Sequence, residues 1–145
     1  MKKCIAILSF LFLLSCAKPI EAADIAKLNG YWEIEYVILP NGDKKDYPMN
    51  ETYDYFEVKG AIGKRTKVMP QLNGTFLTNS LSEQIKVVTG KAAAFIEYKT
   101  DYAKWREELV TLNDTELVLR NPEKNEYHYK RTGPINLDKD GKKAQ

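Results

Sequence analysis

One pattern limits what this chain can fold into more than any other: short runs of alternating apolar and polar residues, separated by turn signals. Trp32, Ile34, Tyr36 and Ile38 share one face of a stretch whose other face carries Glu33 and Glu35. A period of two marks a half-buried strand. Runs at 53–59, 64–69, 75–78, 82–88, 92–98, 117–119 and 126–131 also read as strands. Between them stand Pro40-Asn41-Gly42-Asp43, Asn73-Gly74, Thr89-Gly90-Lys91, Asn113-Asp114 and the segment from Pro122 to Asn125, all built from turn-forming residues. Residues 102–112 fit either a strand or a short helix, because Ala103, Lys104, Arg106, Glu107 and Glu108 are good helix formers. Asp24 can cap a brief helical turn carrying Ile25 and Leu28 before the first strand. The whole predicts an all-β domain of eight or nine strands in an antiparallel, up-and-down meander, closed as a barrel or paired as a sandwich. There is no βαβ alternation and no internal repeat.

The first residues are of another kind. Met1-Lys2-Lys3 precedes an apolar run from Cys4 to Leu14 and the small residue Ser15, the order of a secretory signal. The run is too short for a transmembrane helix, which needs about 20 apolar residues. Leu13-Leu14-Ser15-Cys16 resembles the lipobox of bacterial lipoproteins. The resemblance implies cleavage before Cys16, lipidation of its thiol and a membrane anchor. Ala17 and Lys18 follow where an Asp would mark the inner membrane in enterobacteria, so it implies an outer-membrane location facing the periplasm, with surface exposure left open. The expected plan is a lipoprotein signal peptide at 1–15, a lipidated tether at 16–23, a barrel at 24–131 and a polar tail at 132–145.

Loss of the signal removes Cys4 and lipidation occupies Cys16, so no thiol is left for a disulfide. The domain must be held by its core. Lys2 and Lys3 also leave, and of 22 Lys and Arg the remaining 20 balance 20 Asp and Glu. That neutrality gives no general attraction to nucleic acid.

Gly30-Tyr31-Trp32, after a short helical turn and at the first strand, resembles the signature of the lipocalins. Leu28-x-Gly30-x-Trp32, the Pro-Asn-Gly turn, Glu116-Leu117-Val118-Leu119 and Tyr127-x-Tyr129-x-Arg131 together resemble the small lipocalin-like lipoproteins common in Bacteroidetes. The resemblance spans about Asp24 to Arg131. It implies an eight-stranded lipocalin-like barrel, one end of which is plugged by Trp32 with an Arg lying across its ring. Arg131 is the matching residue, with Arg120 as the runner-up. In such a barrel Gly30, Trp32 and Arg131 are structural.

Residues that carry catalysis are sparse. His128 is the single histidine and alternates with Tyr127 and Tyr129, so it is expected to face solvent. No nucleophile motif accompanies it, and no His, Cys or acidic residues stand at metal-ligand spacing. Glu107-Glu108 reads as a solvated edge, and Glu97 as an outward charge in an apolar strand. Lys59, Lys64, Arg65 and Lys67 form a basic cluster, expected on a solvated strand face. The chain is therefore read as a non-enzymatic monomer without cofactor or metal.

Two functions remain open. In the first, the barrel binds a small hydrophobic ligand within it or at its mouth. The candidate lining residues are Ile34, Tyr36, Phe56, Ile85, Val87, Phe95, Ile96, Trp105, Tyr127 and Tyr129. Phe95 and Ile96 are neighbours, so a regular strand cannot point both inward. In the second, these side chains fill the barrel, and the protein is an envelope interaction module for a protein, peptidoglycan or glycan partner. The loop from Lys44 to Thr52, with Tyr47, Pro48 and Met49, would then be a contact surface.

Overall fold

The computed structural model describes residues 18–135. The expected signal peptide, Cys16, Ala17 and the tail after Ile135 lie outside the described residues. A 3-10 helix, Ala22–Leu28, is followed by nine strands among the described residues: β1 (Gly30–Ile38), β2 (Lys44–Asp46), β3 (Tyr53–Lys59), β4 (Ile62–Pro70), β5 (Phe76–Thr89), β6 (Ala94–Lys99), β7 (Lys104–Leu112), β8 (Glu116–Arg120) and β9 (Glu126–Thr132). All neighbours are antiparallel. β1 pairs with both β3 and β9, so eight strands close on themselves and β2 is a short flap on the end of β1. This is the closed form of the up-and-down meander that the alternation and the turns predicted as barrel or sandwich, and the eight-stranded barrel that the resemblance implied; closure removes the sheet edges.

Several local expectations are corrected. The runs at 75–78 and 82–88 form one strand, β5, whose register against β4 shifts between Thr66 and Val68. Of residues 102–112, Lys104–Leu112 is strand and none is helix, since β7 finds partners on both sides in β6 and β8. The tether expected at 16–23 is structured in its described part. The helix starts at Ala22, Glu21 N–H donates to the Asp24 carboxylate at 3.0 Å, and Ile20 packs against the core. Asp24 therefore lies inside the helix. Part of the connector from Lys44 to Thr52 is strand, and Asn50 Nδ2 donates to the Ile34 carbonyl at 2.7 Å, while Met49 stays exposed.

One end of the barrel is closed. Trp32 has no solvent exposure, and its Nε1–H donates to the Leu28 carbonyl at 2.8 Å. The Arg131 guanidinium lies over the indole at 4.2 Å. It donates to the carbonyls of Asp114 at 2.5 Å and Asn29 at 2.7 Å, and also to that of Lys27. One side chain thus ties the helix, the start of β1 and the β7–β8 turn. Gly30 has φ +118°, and a Cβ there would sit 2.8 Å from that guanidinium; this is the physical content of the Gly-x-Trp signature. Arg120 instead lies on the outer face between Glu108 at 2.8 Å and Glu126 at 2.5 Å.

Above this plug Leu28, Phe56, Ile85, Val87, Ile96, Leu109, Leu117 and Leu119 form one continuous buried cluster. The barrel is filled from its closed end upward.

Candidate functional site: a charged interior below the barrel mouth

Strand parity decides which side chains reach the interior. Ile34, Phe56, Ile85, Val87, Ile96, Trp105, Tyr127 and Tyr129 belong to the core cluster or pack against it. Tyr36 does not join them. β1 shifts register between Ile34 and Tyr36, so Val37 takes the inward place opposite Tyr127 and Tyr36 turns outward, stacking on His128 at 4.4 Å. Phe95 is also outward, beneath the Arg106 guanidinium at 4.5 Å, while its neighbour Ile96 is inward and fully buried. His128 points out of the barrel, as alternation implied, but it is not solvated. Its side chain is only 13% exposed beneath Tyr36, between Glu126 at 3.4 Å and Glu116 at 3.9 Å.

The larger departure is in the charges. β4 pairs Phe56 with Arg65 and Asp54 with Lys67, so these two cations share the inner face with Phe56. Only Lys59 and Lys64 of the basic cluster are exposed on the outside. Arg65 Nε–H donates to Glu83 Oε2 of β5 at 2.5 Å, and its guanidinium lies 3.8 Å from Glu107 Oε2 of β7. Glu107 is therefore an interior residue and not part of a solvated edge. The guanidinium also covers the Tyr98 ring at 4.4 Å, and Tyr98 stacks on Trp105 at 5.1 Å with planes 8° apart. A cation and two aromatic rings thus form a ladder from β4 to β7. Lys67 reaches from the mouth to Asp54 Oδ1 at 2.5 Å, and Asp54 is itself 2% exposed.

Charges held this far from water need partners. Burial works against the charged form of Arg65, but its bond to Glu83 and the neighbouring Tyr98 and Asp54 outweigh it, and the guanidinium is held more firmly protonated than usual. Glu107 is different. Burial raises its pKa above the ordinary carboxylate value, and Tyr98 and Arg65 only partly offset this. Burial likewise pushes the Tyr98 and Tyr129 hydroxyls well up. The Tyr98 hydroxyl and Glu107 Oε2 face each other, yet neither has a well-formed hydrogen bond. Buried polar atoms without partners mark a place for water or a ligand.

Directly outside lies a cavity of about 500 Å³ at the mouth. Arg65, Lys67 and Glu83 form its inner wall, and Leu81 and the β6–β7 turn with Tyr102 form its rim. Leu81 is 72% and Tyr102 98% exposed. Leu81 and Tyr102 above the charges of Arg65, Lys67 and Glu83 suit a small ligand with an apolar body and a polar end. Among the described residues no group of His, Cys, Asp and Glu is arranged to hold a metal ion.

The sequence reading missed Asp54, Arg65, Glu83, Tyr98 and Glu107 as interior groups. A signal existed for two of them. Trp105 and Leu109 face inward, and Glu107 lies between them at period two; Ile85 and Val87 likewise carry Glu83 with them. For Arg65 there was none, because residues 64–67 of β4 are polar on both faces.

No family model matches the chain, and no curated protein matches it by sequence. Solved structures do. A lipocalin-like protein from Bacteroides uniformis has 11% identity and a TM-score of 0.46, over 73% of this chain and 99% of that one. An uncharacterized protein from Bacteroides eggerthii has 11% identity and a TM-score of 0.48, over 72% and 99%. Lobster apocrustacyanin A1 has 10% identity and a TM-score of 0.42, over 83% and 68%. The barrel assignment stands on this chain's own strand order, on the pairing of β1 with β9 and on the Trp32–Arg131 plug.

Proposed function

We propose that the protein is a lipid-anchored cell-envelope barrel, held on the outer membrane through Cys16, that binds a small, largely apolar ligand at its mouth. The observation that carries this reading is the mouth cavity walled by Arg65, Lys67 and Glu83, with the Tyr98–Glu107 pair, buried and without well-formed hydrogen bonds, behind the Arg65 guanidinium. A polar end of the ligand would meet this charged wall, and its apolar body would lie against Leu81 and Tyr102 at the rim. Because the closed half of the barrel is filled by its own side chains, the ligand sits high, in the mouth rather than in the core.

The anchor sets an orientation. Ile20 is already packed on the barrel, so only Ala17, Lys18 and Pro19 separate it from Cys16, a distance of four residue steps. Four extended residues span at most roughly 14 Å. The end that carries the helix would rest against the membrane and the mouth would open away from it. Cys16→Ser is expected to move the protein from the membrane fraction to the soluble fraction with its thermal midpoint unchanged. A variant that stays with the membranes would overturn the anchor.

The ligand is tested by native mass spectrometry of Cys16→Ser protein incubated with envelope extract. A discrete added mass, lost in Leu81→Ser/Tyr102→Ser, is the expected result. A bare mass throughout would favour the second reading, an interaction module. That reading draws on the exposed Met69, Leu72 and Leu77 of the β4–β5 hairpin, since clustered exposed apolar residues mark contact surfaces.

A further inference from the structure

Two rows of side chains cross the outer wall of the barrel over five consecutive strands. In one, the register from β3 to β7 runs Glu57, Lys64, Gln84, Lys99, Lys104. In the next it runs Lys59, Ile62, Lys86, Glu97, Arg106. All ten are exposed, and they border an open groove of about 1190 Å³. Neighbouring strands lie about 4.8 Å apart, so each row is roughly 19 Å long. Six cations face two carboxylates here, while the rest of the chain has 16 Lys and Arg against 18 Asp and Glu.

These cations are poorly neutralised by the protein itself. The ion pair within the rows, among the described residues, is Lys64 with Glu57 at 3.8 Å. Lys99 and Lys104 stand directly opposite each other, an arrangement that weakens a free sheet and that a bound anion would relieve. We propose that this groove binds one extended strand of an anionic glycan. Its charges repeat along a line instead of converging on a point, which suits a polymer and not a single phosphate. Five of the six cations are lysines, point charges that do not demand one fixed acceptor geometry. An acidic peptide would gain most by adding a strand to a sheet edge, and β3 to β7 are all paired on both sides. A flat lipid surface would meet the tips of the long side chains and leave the groove floor empty.

The test uses the full-length protein in detergent, titrated with a size-defined heparin oligosaccharide. Binding is expected, weakening steeply with salt. Lys99→Gln/Lys104→Gln should weaken it by about tenfold without lowering the thermal midpoint. Lys45→Gln/Lys91→Gln, an equal charge change at exposed positions outside the groove, should alter it little. No binding, or equal losses in the two double variants, overturns the proposal. So does binding to poly-glutamate, or to vesicles of phosphatidylcholine with phosphatidylglycerol, in preference to the oligosaccharide.

Discussion

Trp32→Ala is expected to destabilise the barrel by about 3–5 kcal/mol, the range for deleting a fully buried large aromatic side chain. The ring has no exposed surface and packs with Ile25, Leu28 and Phe56 at the closed end. Its loss also strips the Arg131 guanidinium of the surface it covers at 4.2 Å. A cation over an aromatic ring contributes roughly 0.5–2 kcal/mol according to its desolvation. Arg131→Ala should therefore cost less than Trp32→Ala, although it also frees the carbonyls of Lys27, Asn29 and Asp114. Thermal or urea melts of the two variants decide the matter. A Trp32→Ala protein that melts within a few degrees of the parent would show that the ring does not plug the barrel.

Arg65→Met should be nearly as costly, by about 3–5 kcal/mol, and for an electrostatic reason. Removing one partner of a buried ion pair leaves the other charge without compensation. Here Glu83 and Glu107 would both lose the guanidinium, which is 11% exposed in the parent. The effect depends on pH, and its sign follows from Glu107. The folded state raises the pKa of this carboxyl above its ordinary value of 4.5, mainly through burial. A folded pKa above the unfolded one means that stability is lost as pH rises through the window between them. Glu107→Gln removes that loss. It should raise the thermal midpoint at about pH 8 and leave it unchanged at about pH 4, where the parent carboxyl is itself protonated. Glu126, held low by its bond to Arg120, acts in the opposite direction but is common to both proteins and cancels in the difference. The Arg65→Met/Glu107→Gln pair should recover part of the Arg65→Met loss. A Glu107→Gln protein less stable than the parent at high pH would mean that Arg65 and Tyr98 fully compensate the carboxylate.

Strands and antiparallel pairing between neighbours were legible in the amino-acid sequence because the signals are local, while the plugged end was implied by the resemblance. Alternation needs only a few consecutive residues, and Asn-Gly or Pro-Asn-Gly turns need fewer. Tyr31 and Trp32 beside Gly30 also suffice to place one end of β1. The reading failed where parity changes within a strand. One register shift after Ile34 moves Tyr36 to the outside and brings Val37 in. Another, between Thr66 and Val68, accompanies the long β5 where two separate strands were expected.

What this sequence settled by itself was therefore an all-β, antiparallel chain; closure around Trp32, with Arg131 above the ring, was implied by the resemblance and decided by the structure. Which charges are buried was decided only by the tertiary structure. Arg65 on β4 meets Glu83 on β5 and Glu107 on β7 because register is carried across four paired strands. The same register lines up lysines from β4 to β7 on the outer wall. A solvated lysine and a buried arginine look alike in a polar run such as residues 64–67. The difference lies in the desolvation and the partners that neighbouring strands impose, and these exist only once the barrel has closed.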